Sequence, residues 1–305
     1  FEHFRIDDEP SEIGWRARAR LENGDGDGAL ALLLTATKER PDNDGAKEEL
    51  GLSYAVLGES ELARAVVTTL RPKRENLPLL LAVVSGDDKS ARALLDDAER
   101  RIASDDGEAL LYRAVEIASL ETDAKKLDAV VDVADKRLTQ TLRESGKGQE
   151  LLLLADATSP RDRTRAIASG AHKEYAPLAR ALIAKNDERF ADERELVRDA
   201  AKHSNGRLLV LERFLEAEAS RALGDDAGVV SACTSGVIVP RGENPDWPLR
   251  VGPCELWTAQ SALELGHVDD AKKYAGLLLE QRTNAPRGDA LVDGARAVLA
   301  KIAAP

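Results

Sequence analysis

Residues 50–63 read LGLSYAVLGESELA and combine the features that decide the fold. Small residues at Gly51 and Ala63 allow two helix backbones to approach closely, and Tyr54 fills the space beside them. Gly58 stands where a helix must end in the left-handed conformation, which glycine adopts without a steric penalty. The stretch therefore predicts two packed helices that are joined by a short turn at Gly58.

The same arrangement recurs along the chain, because a glycine is followed five residues later by an alanine at several places. The pairs are Gly24 with Ala29, Gly58 with Ala63, Gly86 with Ala91, and Gly266 with Ala271. The first two pairs lie 34 residues apart, and the third follows the second after 28 residues. A period of this length indicates repeated units that bury their apolar faces against one another.

The composition agrees with helices. Hydrophobic residues make up 43% of the 305 residues, but aromatic residues make up only 4%. Alanine and leucine dominate, with little of the clustered Val, Ile, Thr and Tyr that strands use. Apolar residues recur at helical spacing between short turns of Gly, Asp, Asn or Pro. We therefore predict an all-α protein.

The pattern Leu50-Gly51-x-x-Tyr54, then Gly58 and Ala63, resembles that of the tetratricopeptide repeat family. The resemblance is strong over residues 13–103 and 254–282 and only architectural elsewhere. It implies a single right-handed α-α superhelix, or solenoid, of stacked helical hairpins over residues 1–305. Residues 13–103 form its clearer repeats.

Residues 104–206 are interpreted as diverged hairpins, with helices predicted at about 107–120, 123–139, 147–156, 160–169, 174–186 and 189–203. Residues 207–305 contain the returning repeats, in which Val229 replaces the small alanine. A helix at about 288–303 is predicted to cap the stack, since a solenoid must shield its last apolar face.

The resemblance also implies a binding groove, since the first helices of such hairpins line a concave surface that grips a peptide or a partner helix. The positions carried over are Arg18, Leu21, Glu48, Leu52, Val56, Asn76, Leu80, Leu256 and Gln260. The Lys and Asn that hold the carboxylate of chaperone tails in one subclass are replaced here by Gly14, Arg18, Glu48 and Leu52. The groove is better suited to a helix or extended segment with apolar anchors.

Residues 237–253 interrupt the helical pattern with four prolines, Gly242 and Trp247. The segment is predicted to be an irregular loop, because it is too rich in proline for a helix and long for a hairpin turn. Two interpretations stay open. The loop contacts a partner through Trp247, or it is a packed connector in which Trp247 fills a groove.

No residue pattern indicates catalysis or a cofactor. The four histidines are far apart, and the usual motifs for nucleophiles and nucleotides are absent from the sequence. Residues 23–28 (NGDGDG) match the start of a calcium loop, but Leu34 stands where a bidentate Glu is needed, so an inter-helix turn is the favoured interpretation. The net charge of -12 makes nucleic acid a poor partner.

The sequence also bears on the cellular compartment. It contains no apolar run long enough to cross a membrane. Cys233 and Cys254 are interpreted as small core residues, with a single bridge as the alternative. The chain begins at Phe1 and contains no Met, from which we expect that a signal peptide or a larger region precedes it. The absence of Met suits an oxidising compartment, which favours the periplasm or cell envelope over the cytoplasm.

We therefore expect a non-enzymatic scaffold or adaptor, a subunit or assembly factor of a larger complex that holds a partner segment in its groove. The alternative is the helical sensor or regulatory part of a larger multidomain protein. A helical-repeat enzyme and a carrier of lipids or small molecules are lesser alternatives. The scarcity of aromatic residues argues against an enzyme that stacks sugars on them.

Overall fold

The computed structural model describes residues 10–70, 76–155, 157, 167–168, 174–203, 208–239 and 246–304. Within these ranges the chain is all-helical and contains no strand, as the sequence predicts. The helices are α1 (Pro10–Glu22), α2 (Gly26–Glu39), α3 (Asp44–Val56), α4 (Ser60–Val67), α5 (Asn76–Ser85), α6 (Asp88–Arg101), α7 (Gly107–Leu120), α8 (Ala124–Arg137), α9 (Gln140–Arg143), α10 (Gly146–Ala155), α11 (Ala176–Asn186), α12 (Phe190–His203), α13 (Leu209–Ala222), α14 (Asp226–Thr234), α15 (Trp247–Glu264), α16 (Val268–Gln281) and α17 (Ala290–Ala303).

Recurring glycine turns join the helices into hairpins. The turn glycines Gly24, Gly58, Gly86, Gly224 and Gly266 all have φ between 70° and 81°. In three of these turns an aspartate follows the glycine, and its carboxylate accepts the backbone N–H three residues later, which caps the second helix. The glycine ends one helix and the aspartate starts the next, so the turn is specified locally.

Small residues allow the helices to approach closely, as predicted. Ala29, Ala63 and Ala271 are completely buried where the two helices of their hairpins meet. At Gly51 a Cβ atom would lie only 2.6 Å from Leu77 Cδ2 of the next unit. Consecutive helices pack against one another along the chain.

The helices predicted for the middle of the chain agree with α7, α8, α10, α11 and α12 to within about two residues at each end. The short helix α9 was not predicted. Most of the helix predicted at 160–169 lies outside the described residues, although residues 167 and 168 are helical. The predicted capping helix is present as α17, which packs on α15 and α16.

The prediction of an irregular loop over residues 237–253 is wrong for its second half. Helix α15 begins at Trp247, with Pro248 in its first turn, and continues through Pro253. A proline in the first turn is tolerated because its missing N–H would have no partner there, whereas Pro253 removes an internal hydrogen bond. Burial of Trp247, Val251 and Cys254 on the same helix offsets that loss. Residues 240–245 lie outside the described residues.

The end of the chain packs against its beginning, which a simple array of neighbouring repeats does not require. Helix α15 contacts α5 and, less extensively, α7. An apolar cluster joins Val56 of α3 and Val84 of α5 to residues of α13, α14 and α15. The N-terminal and C-terminal hairpins therefore share part of one core.

Candidate binding groove

The structure divides the predicted groove residues into a buried set and a partly exposed set. Leu21, Val56 and Leu256 are buried, whereas Arg18, Glu48, Leu52, Leu80 and Gln260 are partly exposed. Asn76 is the first residue of α5, and its side chain lies outside the described part of the structure. The three buried residues do not offer a surface to a partner in this conformation.

Each of the three is covered by a different part of the chain. Leu21 packs in the core between α1 and α2. Leu256 is covered by the capping helix α17. A Cβ atom added at Gly294 of that helix would lie only 2.8 Å from Leu256 Cδ2. Val56 packs against the C-terminal helices. The return of the C-terminal helices to Val56 could not be expected from a single repeat.

The groove positions on α3 and α5 face helices of the same chain. Leu52 packs against the cluster that contains Val210 of α13 and Val251 of α15. Leu80 packs against a second cluster, formed by residues of α5, α6 and α7, which Leu249 of α15 also contacts. The chain's own C-terminal helices therefore cover part of the surface that was predicted to hold a partner.

Hydrogen bonds at the hairpin turns add to this contact. The hydroxyl of Ser60 lies 3.2 Å from the carbonyl oxygen of Glu280, and the guanidinium of Arg64 donates to Thr283 Oγ1 at 2.9 Å. The backbone N–H of Asn284 donates to the carbonyl oxygen of Ser85 at 3.1 Å. We call the contacts of α15, α16 and residues 282–285 with α3–α6 the closure interface.

At the first unit the groove is polar. Arg18 forms a two-point ion pair with Glu49 of α3, in which Arg18 Nε donates to Glu49 Oε2 at 2.9 Å. Bidentate pairs of this kind hold both partners in a fixed geometry. The pair ties α1 to α3, so Arg18 contributes to the stacking of the first two hairpins.

A buried polar cluster lies beside the closure interface. Glu255 of α15 is fully buried, and burial raises its pKa well above the usual range of a glutamate. The nearby Gln281 and Arg282 oppose this rise, but the carboxylate oxygens have no well-directed hydrogen bond. Arg282 instead donates to Asp289 at 2.6 Å. Burial therefore disfavours the ionised form of Glu255 at the junction of α15, α16 and the chain that leads to α17.

Trp247 lies in the core and not on an exposed loop, so the interpretation as a partner-contacting residue does not agree with its position. The residue is 2% exposed, and its Nε1 donates to the carbonyl oxygen of Val237 at 2.8 Å. This is the arrangement of a packed connector. Trp247 starts α15 and anchors that helix to the end of the α13–α14 hairpin.

Cys233 and Cys254 form a disulfide, so the favoured interpretation of two separate core thiols is wrong and the alternative holds. The bond joins α14 to α15 across the proline-rich segment. Both cysteines are completely buried. The sequence could not decide between two free thiols and a disulfide. Two cysteines 21 residues apart can bond only if their helices lie side by side, and the tertiary structure determines that.

Sequence reasoning missed an aromatic stack on neighbouring first helices. The rings of Phe214 on α13 and Trp257 on α15 stack with their centroids 5.0 Å apart. Arg250 Cζ lies 4.7 Å from the Phe214 centroid, and Arg221 Cζ lies 5.4 Å from that of Trp257. The two rings come from different hairpins, so no local spacing relates them. The stack rigidifies the face of the C-terminal hairpins.

The structure is consistent with the turn interpretation of the NGDGDG stretch. Asp25 caps α2 by accepting the N–H of Gly28 at 2.9 Å and also accepts from Arg20 at 2.7 Å. No group of three His, Cys, Asp or Glu side chains in the described ranges could hold a metal ion.

Across the same ranges no helix is both long and apolar enough to span a membrane.

Glu193 is a second buried acid and lies on α12, which carries none of the predicted groove residues. It is completely buried, and neither carboxylate oxygen has a hydrogen-bond partner in the structure. Burial, reinforced by the negative charge of Glu218 and opposed by Lys185, raises the pKa of Glu193 to about 8. An unfolded chain would release this proton near pH 4.5.

Replacing Glu193 by Gln is expected to stabilise the protein at neutral pH but not at acidic pH. Below about pH 4.5 the acid is protonated in both states, and stability is lost as the pH rises towards the folded-state pKa. Glutamine mimics the protonated acid at every pH. After allowance for solvent screening, we expect a gain of about 2 kcal/mol at pH 7, measured by urea denaturation.

The control is Glu195→Gln, on the exposed side of the same helix. It should change the free energy of unfolding by less than about 0.5 kcal/mol at either pH. An equal gain from Glu193→Gln at pH 4.5 and pH 7 would show that the effect does not come from ionisation of this carboxyl group.

Comparison with known proteins identifies no relative. No family model matches the chain, and no curated protein or solved structure matches it.

Proposed function

We propose that the protein is a non-enzymatic scaffold or adaptor, a right-handed superhelix of hairpins that resemble tetratricopeptide repeats. The observation that supports this most directly is the repeated hairpin. Five turns share the same glycine conformation, and the helices that they join pack in chain order. Arrays of this type present extended surfaces that are suited to holding other proteins.

The partner is a protein segment with apolar anchors, and the protein acts as a subunit or assembly factor of a larger complex. Leu52 and Leu80 lie on successive first helices and are only partly covered by the chain's own helices. Polar groups flank them, among them Glu48 and the Arg18–Glu49 pair. A mixed surface of this kind suits an amphipathic segment.

The disulfide supports a location in an oxidising compartment, and we place the protein in the periplasm or cell envelope. Structural disulfides form and persist in such compartments and are rare where thiols are kept reduced. Cys233 and Cys254 are the two cysteines of the sequence, and they are bonded to each other. The bond would be difficult to maintain in a reducing cytoplasm.

The test is an affinity pull-down from the native organism with the intact chain and with Leu52→Glu/Leu80→Glu. Charges at these two positions oppose an apolar anchor, so we expect recovery of the partner to fall at least about tenfold. The matched control is Leu34→Glu/Leu62→Glu, which places the same charges on exposed positions of the second helices α2 and α4. It should recover the partner as well as the wild type does.

Because Leu52 and Leu80 also contact the protein's own core, each variant is first compared with the wild type by circular dichroism. Gln260→Arg provides a milder test, since the position is partly exposed on α15. If Leu52→Glu/Leu80→Glu and Gln260→Arg both recover the same partner as well as the wild type does, the groove is excluded as the binding surface. Failure of the intact chain to recover any stoichiometric partner would count against the scaffold function itself.

A further inference from the structure

We propose that the closure interface is reversible and that the groove on α3 and α5 receives an amphipathic helix from the partner only when this interface opens. This inference rests on the proposed scaffold function for its partner, but the opening itself is a property of the chain alone. The present occupant of the groove, α15, is the model for the ligand. It presents Leu249 and Val251 to the groove helices.

The closure interface differs in chemistry from the contacts between neighbouring hairpins. Neighbouring helices meet through Ala and Leu side chains at full burial. The closure interface depends in addition on hydrogen bonds of Ser60, Arg64 and Ser85 with residues about 200 positions away. Such polar contacts exchange readily with water, so the closed state is held mainly by the apolar cluster that joins Val56 and Val84 to α13–α15.

The buried polar cluster beside the closure interface is not fully hydrogen-bonded. Both carboxylate oxygens of Glu255, both side-chain amide atoms of Gln281 and Nε of Arg282 are buried without a hydrogen-bond partner in the structure. Unsatisfied polar groups regain hydrogen bonds to water on opening, which lowers the free energy that opening requires.

Opening would uncover a continuous apolar strip. Val56 and Val84 are each 5% exposed in the closed state, and Leu52 and Leu80 lie beside them on α3 and α5. Each helix contributes two of these side chains, four residues apart and therefore on one helix face. Two adjacent apolar faces of this kind can accept the apolar face of an amphipathic helix. A ligand that binds only the open state would shift the equilibrium towards it.

Two glycine variants test the opening in the isolated protein. Gly86 has φ of 71°, and a Cβ there would lie 2.9 Å from Ala285 Cβ and 3.0 Å from Ala285 Cα. Gly224 has φ of 70°, and a Cβ there would meet nothing within 4 Å. Gly86→Ala and Gly224→Ala therefore share the same backbone strain, and only the first crowds the closure interface.

The readout is native-state hydrogen exchange of the Asn284 amide, which donates across the closure interface to Ser85. In the wild type we expect this amide to exchange at least tenfold faster than the slowest amides of α7. Gly86→Ala should accelerate it at least tenfold further, and Gly224→Ala should leave it within about twofold of the wild type. Exchange of Asn284 at the rate of the slowest core amides would overturn the inference.

The binding step is tested with a labelled synthetic peptide of residues 246–264 that carries Cys254→Ala. We expect it to bind Gly86→Ala at least tenfold more tightly than the wild type. It should not bind the oxidised double variant Ser85→Cys/Asn284→Cys, in which a disulfide would lock the interface at a place where the two side chains are 3.5 Å apart. Equal binding to the locked and wild-type chains would overturn the inference.

The two proposals can fail separately. Fast exchange at Asn284 together with tighter peptide binding to Gly86→Ala, but no partner in the pull-down, would support the closure and remove the scaffold function. A partner that is recovered equally by the locked and wild-type chains would support the scaffold function and remove the role of the closure.

Discussion

Replacement of Trp247 by Ala is expected to lower the free energy of unfolding by about 4 kcal/mol, as is usual when a fully buried tryptophan is truncated. The ring joins the apolar cluster that connects α3 and α5 to α13, α14 and α15. Its removal leaves a cavity where these helices meet and leaves the carbonyl oxygen of Val237 without its indole donor. Urea denaturation followed by circular dichroism measures the change.

Two further variants separate the causes of this loss. Trp247→Phe keeps most of the ring volume and removes the donor, so it should cost about 1 to 2 kcal/mol. Trp15→Ala makes the same truncation at a position that is 68% exposed and should change stability by less than about 0.5 kcal/mol. Similar losses for Trp247→Ala and Trp15→Ala would contradict the buried position of Trp247.

Removal of the disulfide is expected to destabilise the protein by about 3 kcal/mol. Chain-entropy arguments give this magnitude for a bond that closes a loop of this size, and Cys233 and Cys254 are separated by 21 residues. Cys233→Ala/Cys254→Ala keeps both positions small and apolar, which suits their complete burial. The measurement is again the free energy of unfolding in urea, without reductant.

The chain provides its own control, because it contains no other cysteine. Under reducing conditions the wild type should unfold at nearly the same urea concentration as the double variant. The double variant should not respond to the reductant. A wild type that keeps its full stability after verified reduction would show that the bond adds little to the fold.

The helical hairpins could be predicted because their determinants are local. Gly58 ends one helix, the next residues start another, and Ala63 sits opposite a small residue of the first helix, all within fourteen residues. The same reasoning located the turns at Gly24, Gly86 and Gly266, which the structure confirms. Turn conformation, capping and helical periodicity depend on neighbours in sequence, so they can be read from sequence.

Features that join different units could not be predicted in this way. The helix through Pro253 depends on burial of Trp247 and Val251 against other hairpins, which overrides the local preference against proline. The pairing of Cys233 with Cys254 depends on two helices lying side by side. In each case the deciding contact is absent from the local pattern.

The predicted groove residues show most clearly which properties the sequence determines and which the tertiary structure determines. The sequence by itself determined that Leu52, Val56 and Leu80 lie on first helices, because helical spacing assigns each residue to a helix. Only the tertiary structure decided that residues of the C-terminal helices join the same apolar clusters. Contacts between helices that are far apart in the chain depend on how all the intervening helices pack. A local sequence pattern does not encode that packing, so these contacts could not be predicted from it.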